Sequence, residues 1–165
     1  SVLAHSPRQL CSWLIFNVSQ KTMPTISEYL DECYREEFAR VVAAWELRNV
    51  RKQVVEGYGW YDGEHDAVTL RLSNERGCTA CEIRPRGEER FIYVPEFFRL
   101  AAALGKKSSS FEPDRRRYTL REQCEMLIER KDDVIRVATP ALADERRALK
   151  KKFDAAYMAQ FSPKG

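Results

Sequence analysis

The stretch VTLRLSNERGCTACEIR, residues 68–84, decides the fold because it holds two strands and the turn that joins them. Apolar residues occupy every second position over 68–72, which is the pattern of a strand with one buried face. The tetrapeptide 74–77 is typical of a hairpin turn, after which the chain returns along 78–84. A connection this short predicts that the two strands pair antiparallel.

Three further strands are predicted around this hairpin. The apolar and aromatic run at 13–18 is typical of a central strand, and the segment 53–61 leads into a turn at 62–63. Residues 90–94 form the last strand. The short connections after residue 53 favour a meander, in which each strand pairs with the next along the chain.

Helices are predicted on both sides of this strand-rich region. The first covers 26–47, begins with a capping box and shows the apolar spacing of a helix with one buried face. Pro95 begins a second helix that Gly105 can end, and a second capping box at 119–122 begins a third. The last helix spans 141–161, whereas 134–137 fits either a helical extension or a short strand.

Composition and element order together predict the fold class. The chain has 165 residues, of which 44% are apolar and 32% are charged, as in globular domains. We expect a single α+β domain over residues 1–165, with an antiparallel meander of about five strands and helices packed on one face. No apolar run approaches the length of a membrane-spanning helix, so we expect no membrane partner.

The five cysteines indicate a reducing compartment such as the cytoplasm, because disulfide-stabilised secreted domains usually have an even number. Cys78 and Cys81 have the spacing of a redox pair or half a zinc site. They lie in a predicted strand, however, where residues three apart point to opposite faces. The sequence therefore predicts that the cysteines are packing residues of the interior. It also predicts that the protein binds no metal and no cofactor.

A weak candidate for catalysis is His65, which lies between Glu64 and Asp66. Histidine titrates near neutral pH, and we expect the neighbouring carboxylates to raise its pKa toward that of a general base. Turns often collect these residue types for conformational reasons alone. Phosphate-binding loops, dinucleotide fingerprints and nucleophile elbows are all missing from the sequence, which lowers the expectation of an enzyme.

The aromatic segment before this turn is a better candidate for binding. Tyr58, Trp60 and Tyr61 supply the residue types that dominate the energy of many protein interfaces, and aromatic rings also stack on bases. The alternative is that Trp60 packs under the hairpin while the two tyrosines stay exposed. We include His65 at the end of this predicted aromatic turn.

Positive charge is concentrated in the second half of the chain, although the net charge is only +3. We expect these side chains to meet on one side of the folded protein, where they would attract phosphate or an acidic protein. The alternative is a set of ordinary solvated loops and helix faces. The basic residues proposed for binding are Arg84, Arg86, Arg115, Arg116, Arg117, Lys150 and Lys151.

Three functions follow from these features. The first is a non-catalytic interaction protein, such as an inhibitor, an immunity-type protein or an assembly subunit, that binds another protein through the aromatic turn and the basic half. The second is a nucleic-acid-binding subunit, which the arginine clusters favour but no recognition motif supports. The third is a small enzyme that uses His65 with Glu64 or Asp66.

Overall fold

A computed structural model describes residues 23–105 and 116–162. Its strands form one five-stranded antiparallel sheet in which each strand pairs with the next, in the order β1-β2-β3-β4-β5. The α+β fold with an antiparallel meander, predicted from the sequence, is therefore confirmed. The strands are β1 (Arg48–Val55), β2 (Tyr58–Glu64), β3 (Val68–Glu75), β4 (Cys78–Pro85) and β5 (Ile92–Tyr93).

The first two strands differ from the prediction. Instead of one strand over 53–61, the structure has the β1–β2 hairpin, which turns at Glu56 and Gly57. Gly57 adopts a φ of 75°, a left-handed conformation that glycine reaches without strain. Asp62 and Gly63 lie inside β2 rather than in a turn. The strand predicted at 13–18 lies outside the described residues.

The helices lie close to the predicted bounds. The first predicted helix is α-helical at both ends, with a π-helical segment at Tyr34–Phe38 between them, and it ends at Trp45 because Glu46 adopts a left-handed φ of 50°. The segment 134–137 is helical. The α-helices are α1 (Ile26–Cys33), α2 (Ala39–Trp45), α3 (Val94–Ala103), α4 (Leu120–Glu129), α5 (Lys131–Val137) and α6 (Ala143–Ala159), with a 3-10 turn at Pro140–Leu142.

The core lies between one face of the sheet and the helices. Alternate residues of β3 and β4, such as Leu70 and Ile83, point into it and are fully buried. Trp45 at the end of α2 donates its indole N–H to the carbonyl of Leu127 in α4, 2.9 Å away. This hydrogen bond joins two helices over the sheet. The largest buried apolar side chains are Trp45, Phe38, Phe97, Leu30, Leu70, Leu72, Ile83, Leu100 and Leu127.

Arg146 of α6 is a charged residue within this packing, with only 2% of its surface exposed. Its guanidinium donates to the carbonyls of Val137 and Thr139 and to the carboxylate of Glu88. Glu88 lies in the loop between β4 and β5. The side chain of Arg146 therefore links α6 to the end of the sheet through this ion pair. A buried arginine with a paired carboxylate is costly to disrupt, because the remaining charge would be left buried.

Candidate functional site

The second face of the sheet is the candidate site, and we call it the open face. The contacts between sheet and helices in the described residues involve the opposite face, where Leu30, Leu70 and Leu72 are buried. Pairing across the strands aligns Asp62, Arg71 and Glu82 in one row of the open face. Its side chains, together with Phe91 just before β5, are Arg51, Gln53, Val55, Tyr58, Trp60, Asp62, Glu64, Thr69, Arg71, Ser73, Glu75, Cys78, Ala80, Glu82, Arg84 and Tyr93.

Arg71 is the centre of the open face. Its guanidinium lies over the ring of Phe91 at 3.9 Å and over the ring of Trp60 at 4.8 Å. Two hydrogen bonds of 2.7 and 2.8 Å join it to both carboxylate oxygens of Asp62. An arginine paired through two parallel hydrogen bonds and stacked on aromatic rings is fixed in one orientation. The guanidinium, the carboxylate and the two rings therefore form one contacting cluster on the open face.

The electrostatics of Arg71 follow from this arrangement. Its side chain is 16% exposed and that of Asp62 is 25% exposed. Burial lowers the pKa of Arg71, but the hydrogen bonds and charge of Asp62 outweigh it and leave this pKa above its ordinary value. Burial also raises the pKa of Tyr58, with a further contribution from Glu82. With both pKa values raised, Arg71 stays charged and the hydroxyl of Tyr58 stays protonated at neutral pH.

Neighbouring side chains extend the cluster across the sheet. The rings of Tyr58 and Trp60 lie 4.9 Å apart, and the guanidinium of Arg84 lies 4.8 Å from the ring of Phe91. The Ser73 hydroxyl donates to Glu82 over 2.6 Å. Acidic and basic side chains alternate on this surface, so it has no field of a single sign.

The predicted aromatic turn is a strand, and its aromatic residues are divided between the two faces. Tyr58 and Trp60 lie on the open face, in line with Asp62. Tyr61 points to the helices, where its hydroxyl donates to Asp31 and its ring stacks on Tyr34 with centroids 4.4 Å apart. Burial and the hydrogen bond to Asp31 raise the pKa of Tyr61 to about 12.

His65 lies where the chain turns after β2, and its environment differs from the prediction. Its Nδ1 accepts a hydrogen bond from the backbone N–H of Ala67 over 3.1 Å, and its ring meets the edge of Trp45 at 5.3 Å. Burial, together with the charge of Lys131, lowers the pKa of His65. The charge of Asp66 raises this pKa, as predicted, but burial and Lys131 outweigh it, so the predicted net rise is wrong.

The two carboxylates beside His65 bind other partners. Glu64 accepts a hydrogen bond from Asn49 over 2.9 Å, which is the main reason why the pKa of Glu64 is lowered. Asp66 pairs with Arg48, and this hydrogen bond lowers the pKa of Asp66. The three neighbouring residues thus make separate contacts and do not converge on one reacting atom.

The predicted basic residues are distributed over different parts of the molecule. Arg84 lies on the open face, whereas Lys150 lies on α6 among the helices and pairs with Glu96 and Asp154 at 2.9 and 2.6 Å. Arg86 is exposed in the turn after β4. The structure therefore does not bring Lys150 next to Arg84.

The cluster near α4 belongs to the helical side as well. Arg116 pairs with Glu122 over 3.1 Å and lies over the ring of Tyr118 at 4.7 Å. Arg117 and, on α6, Lys151 are exposed. Arg115 lies outside the described residues. Acidic partners accompany several of these cations, which reduces the field that they produce together.

The cysteines confirm the reasoning from strand geometry. Cys78 lies on the open face and Cys81 points into the core, where its Sγ is 3.7 Å from that of Cys124. The hydrogen bond with the Cys124 thiol, together with burial, raises the pKa of Cys81. Over residues 23–105 and 116–162, no three His, Cys, Asp or Glu side chains are grouped as metal ligands would be.

Arg71, Asp62 and Phe91 were not among the site residues predicted from the sequence. A signal for the first two was present, since alternation places Arg71 on the polar side of its strand. Assigning Asp62 to a turn hid its position opposite Arg71. Phe91 packs on this cluster only through tertiary structure, and no local pattern predicts that contact.

Comparisons with models of protein families, with curated proteins and with solved structures gave no match. In the described part of the chain, no helix has both the length and the apolar character needed to cross a membrane. The open face is therefore the part of the described structure whose chemistry indicates a function.

Proposed function

We propose that this chain is a non-catalytic interaction protein that binds a protein partner through the open face. The proposal depends on the arrangement around Arg71. Its guanidinium stacks on the rings of Trp60 and Phe91 and pairs with the carboxylate of Asp62. Tryptophan, tyrosine and arginine are the residues that most often dominate binding energy at protein interfaces. Here they are adjacent and already ordered, so little conformational entropy is lost on binding.

The mixture of charges favours a protein over a nucleic acid. Glu75 and Glu82 lie on the same surface as Arg71 and Arg84, and carboxylates repel a phosphate backbone. The rings of Trp60 and Phe91 are each covered on one side by a guanidinium, which removes stacking surface that bases would use. A protein surface with both charge types suits this pattern better.

The geometry around His65 gives less support to the enzyme hypothesis. Its Nδ1 is occupied by a backbone hydrogen bond, and Glu64 and Asp66 are bonded to Asn49 and Arg48. A general base needs a free nitrogen directed at a substrate. The Nε2 atom of His65 could take this role, but neither neighbouring carboxylate is placed to orient the ring.

The proposal is tested by comparing three chains as bait in partner capture: wild type, Trp60→Ala and the matched control Arg136→Ala. Arg136 is an exposed residue of α5 whose one ion pair, to Asp133, is also exposed. A nuclease-treated sample is run in parallel. The captured protein is then purified, and its affinity for each chain is measured by calorimetry.

We expect Trp60→Ala to weaken the affinity by about 30-fold, which corresponds to a hot-spot residue of roughly 2 kcal/mol. Arg136→Ala should bind like the wild type. Equal binding by Trp60→Ala would contradict the role of the open face. Loss of the partner on nuclease treatment would instead identify a nucleic-acid-binding protein.

A further inference from the structure

Strand β1 forms one edge of the sheet and leaves its outer side open. It pairs only with β2 in the described residues, and seven of its eight residues are exposed. The pairing with β2 is regular over 51–55, after an irregularity that follows Arg48. In an antiparallel edge strand, alternate residues direct their N–H and C=O groups outward. The segment Arg51–Val55 therefore presents unpaired backbone groups in the geometry of a strand.

The opposite edge of the sheet is closed. There β5 has only two residues, and α4 packs beside the adjacent part of β4. The Gln123 side chain of α4 accepts a hydrogen bond from the backbone N–H of Cys81 over 2.7 Å. The buried Gln123 side chain thus satisfies the backbone N–H of Cys81, which would otherwise be free to pair with a further strand. Among residues 23–105 and 116–162, the two edges therefore differ in that β1 has no partner on its outer side.

The charge of β1 indicates what kind of strand it accepts. Arg48–Val55 contains three basic residues and no acidic residue. The side chains of Arg48 and Arg51 are 59% and 76% exposed, and their ion pairs with Asp66 and Glu64 are on the surface. Such exposed pairs hold weakly and can exchange for other carboxylates.

Self-association through this edge is opposed by the same charges. In an antiparallel pair of two β1 strands centred on Arg51 or Lys52, the basic residues of one copy lie opposite those of the other, whereas a pair centred on Gln53 would place Arg51 opposite Val55. Like charges directly across a strand pair are destabilising. An acidic strand has the opposite effect, because its carboxylates pair with Arg51 while its backbone completes the sheet.

We propose that β1 accepts an extended acidic segment of a partner protein as a sixth strand. Backbone hydrogen bonds to Arg51–Val55 supply the pairing, and Arg51 selects for negative charge. Val54 and Val55, which are 43% and 46% exposed, contact apolar side chains of the added strand. The side chains of Arg51 and Val55 lie on the same side of the sheet as Asp62 and Tyr58, but the backbone groups that pair with an added strand lie at the edge, away from the Trp60–Arg71–Phe91 cluster. A failure of strand pairing can therefore be distinguished from a failure of binding through that cluster.

The test uses a capped synthetic peptide of alternating glutamate and valine, titrated into the isotope-labelled full chain and followed by amide NMR. Binding should shift the β1 resonances and slow hydrogen exchange at every second residue of 51–55. Arg51→Glu should weaken the peptide affinity by about tenfold. The control Arg136→Glu, which reverses an exposed charge on α5, and the open-face variant Trp60→Ala should leave it unchanged.

Two further peptides separate strand pairing from charge attraction. A lysine and valine peptide should not bind, and N-methylation of alternate amides in the glutamate peptide should abolish binding, because it removes backbone donors. Retained binding by the methylated peptide would overturn the proposal. So would shifts confined to β2, β3 and β4, an unchanged affinity of Arg51→Glu, or self-association of the chain through β1 in sedimentation experiments.

Discussion

Trp45 and Trp60, the tryptophans of the described residues, lie on opposite sides of the sheet and differ in their surroundings. Trp45 is fully buried on the side that the helices cover, where its N–H bonds to Leu127. Trp60 is only partly buried on the open face and packs against Arg71 and Tyr58. The covered side buries apolar area and supplies stability, whereas the open face orders aromatic and charged groups at the surface. Identical side chains thus contribute to folding on one side and are available for recognition on the other.

The strongest test of this difference compares Trp45→Ala with Trp60→Ala. Removing Trp45 should lower the free energy of unfolding by about 3–5 kcal/mol, because a large buried cavity is left. Removing Trp60 should cost roughly 1 kcal/mol, as expected for a partly exposed side chain. Urea denaturation measures both values. A loss for Trp60→Ala as large as that for Trp45→Ala would show that the open face is also part of the core.

A second pair of variants tests whether polar groups follow the same division. Gln123→Ala leaves the N–H of Cys81 buried without a partner and should cost about 1–3 kcal/mol. Gln53→Ala, in the exposed strand β1, should change the stability by less than about 0.5 kcal/mol. The shift of the denaturation midpoint of each variant from that of the wild type measures the two stability losses. Equal effects would mean that the closed edge is not held by this hydrogen bond.

The smallest effect is expected from His65, which lies beside Trp45 on the covered side. Its pKa is lowered in the folded state, so the unfolded chain binds the proton more readily. The resulting contribution to stability is complete above the unfolded pKa of about 6.5 and is lost as the pH falls toward the folded pKa.

The wild type should therefore lose more stability than His65→Gln between about pH 7.5 and pH 5.5. Parallel denaturation curves at several pH values measure the difference. Asp31, Glu64 and Asp66 do not interfere, because their lowered pKa values keep them ionised across this range. A wild type that gains stability over the variant on acidification would contradict the assignment.

Local sequence patterns predicted the strands and helices in which apolar and polar residues recur at a regular spacing or in which capping residues mark an end. Alternation marked β3, and capping residues marked the start of α4, where Thr119 and Glu122 form both hydrogen bonds of a capping box. The β1–β2 hairpin was missed because strand β1 is exposed on both faces and so has no apolar alternation to indicate it. Gly57 was the one local signal of that turn.

The amino-acid sequence by itself determined the α+β meander, the approximate helices and the opposite orientations of Cys78 and Cys81, because these follow from periods of 2 and 3.6 residues along the chain. Only the tertiary structure decided that Trp60, Arg71 and Phe91 meet. Their contact depends on strand register and on the loop that delivers Phe91. The tertiary structure also placed Arg84 on the open face of the sheet and Lys150 among the helices. The spacing of two charged residues along the chain does not indicate whether they share a surface.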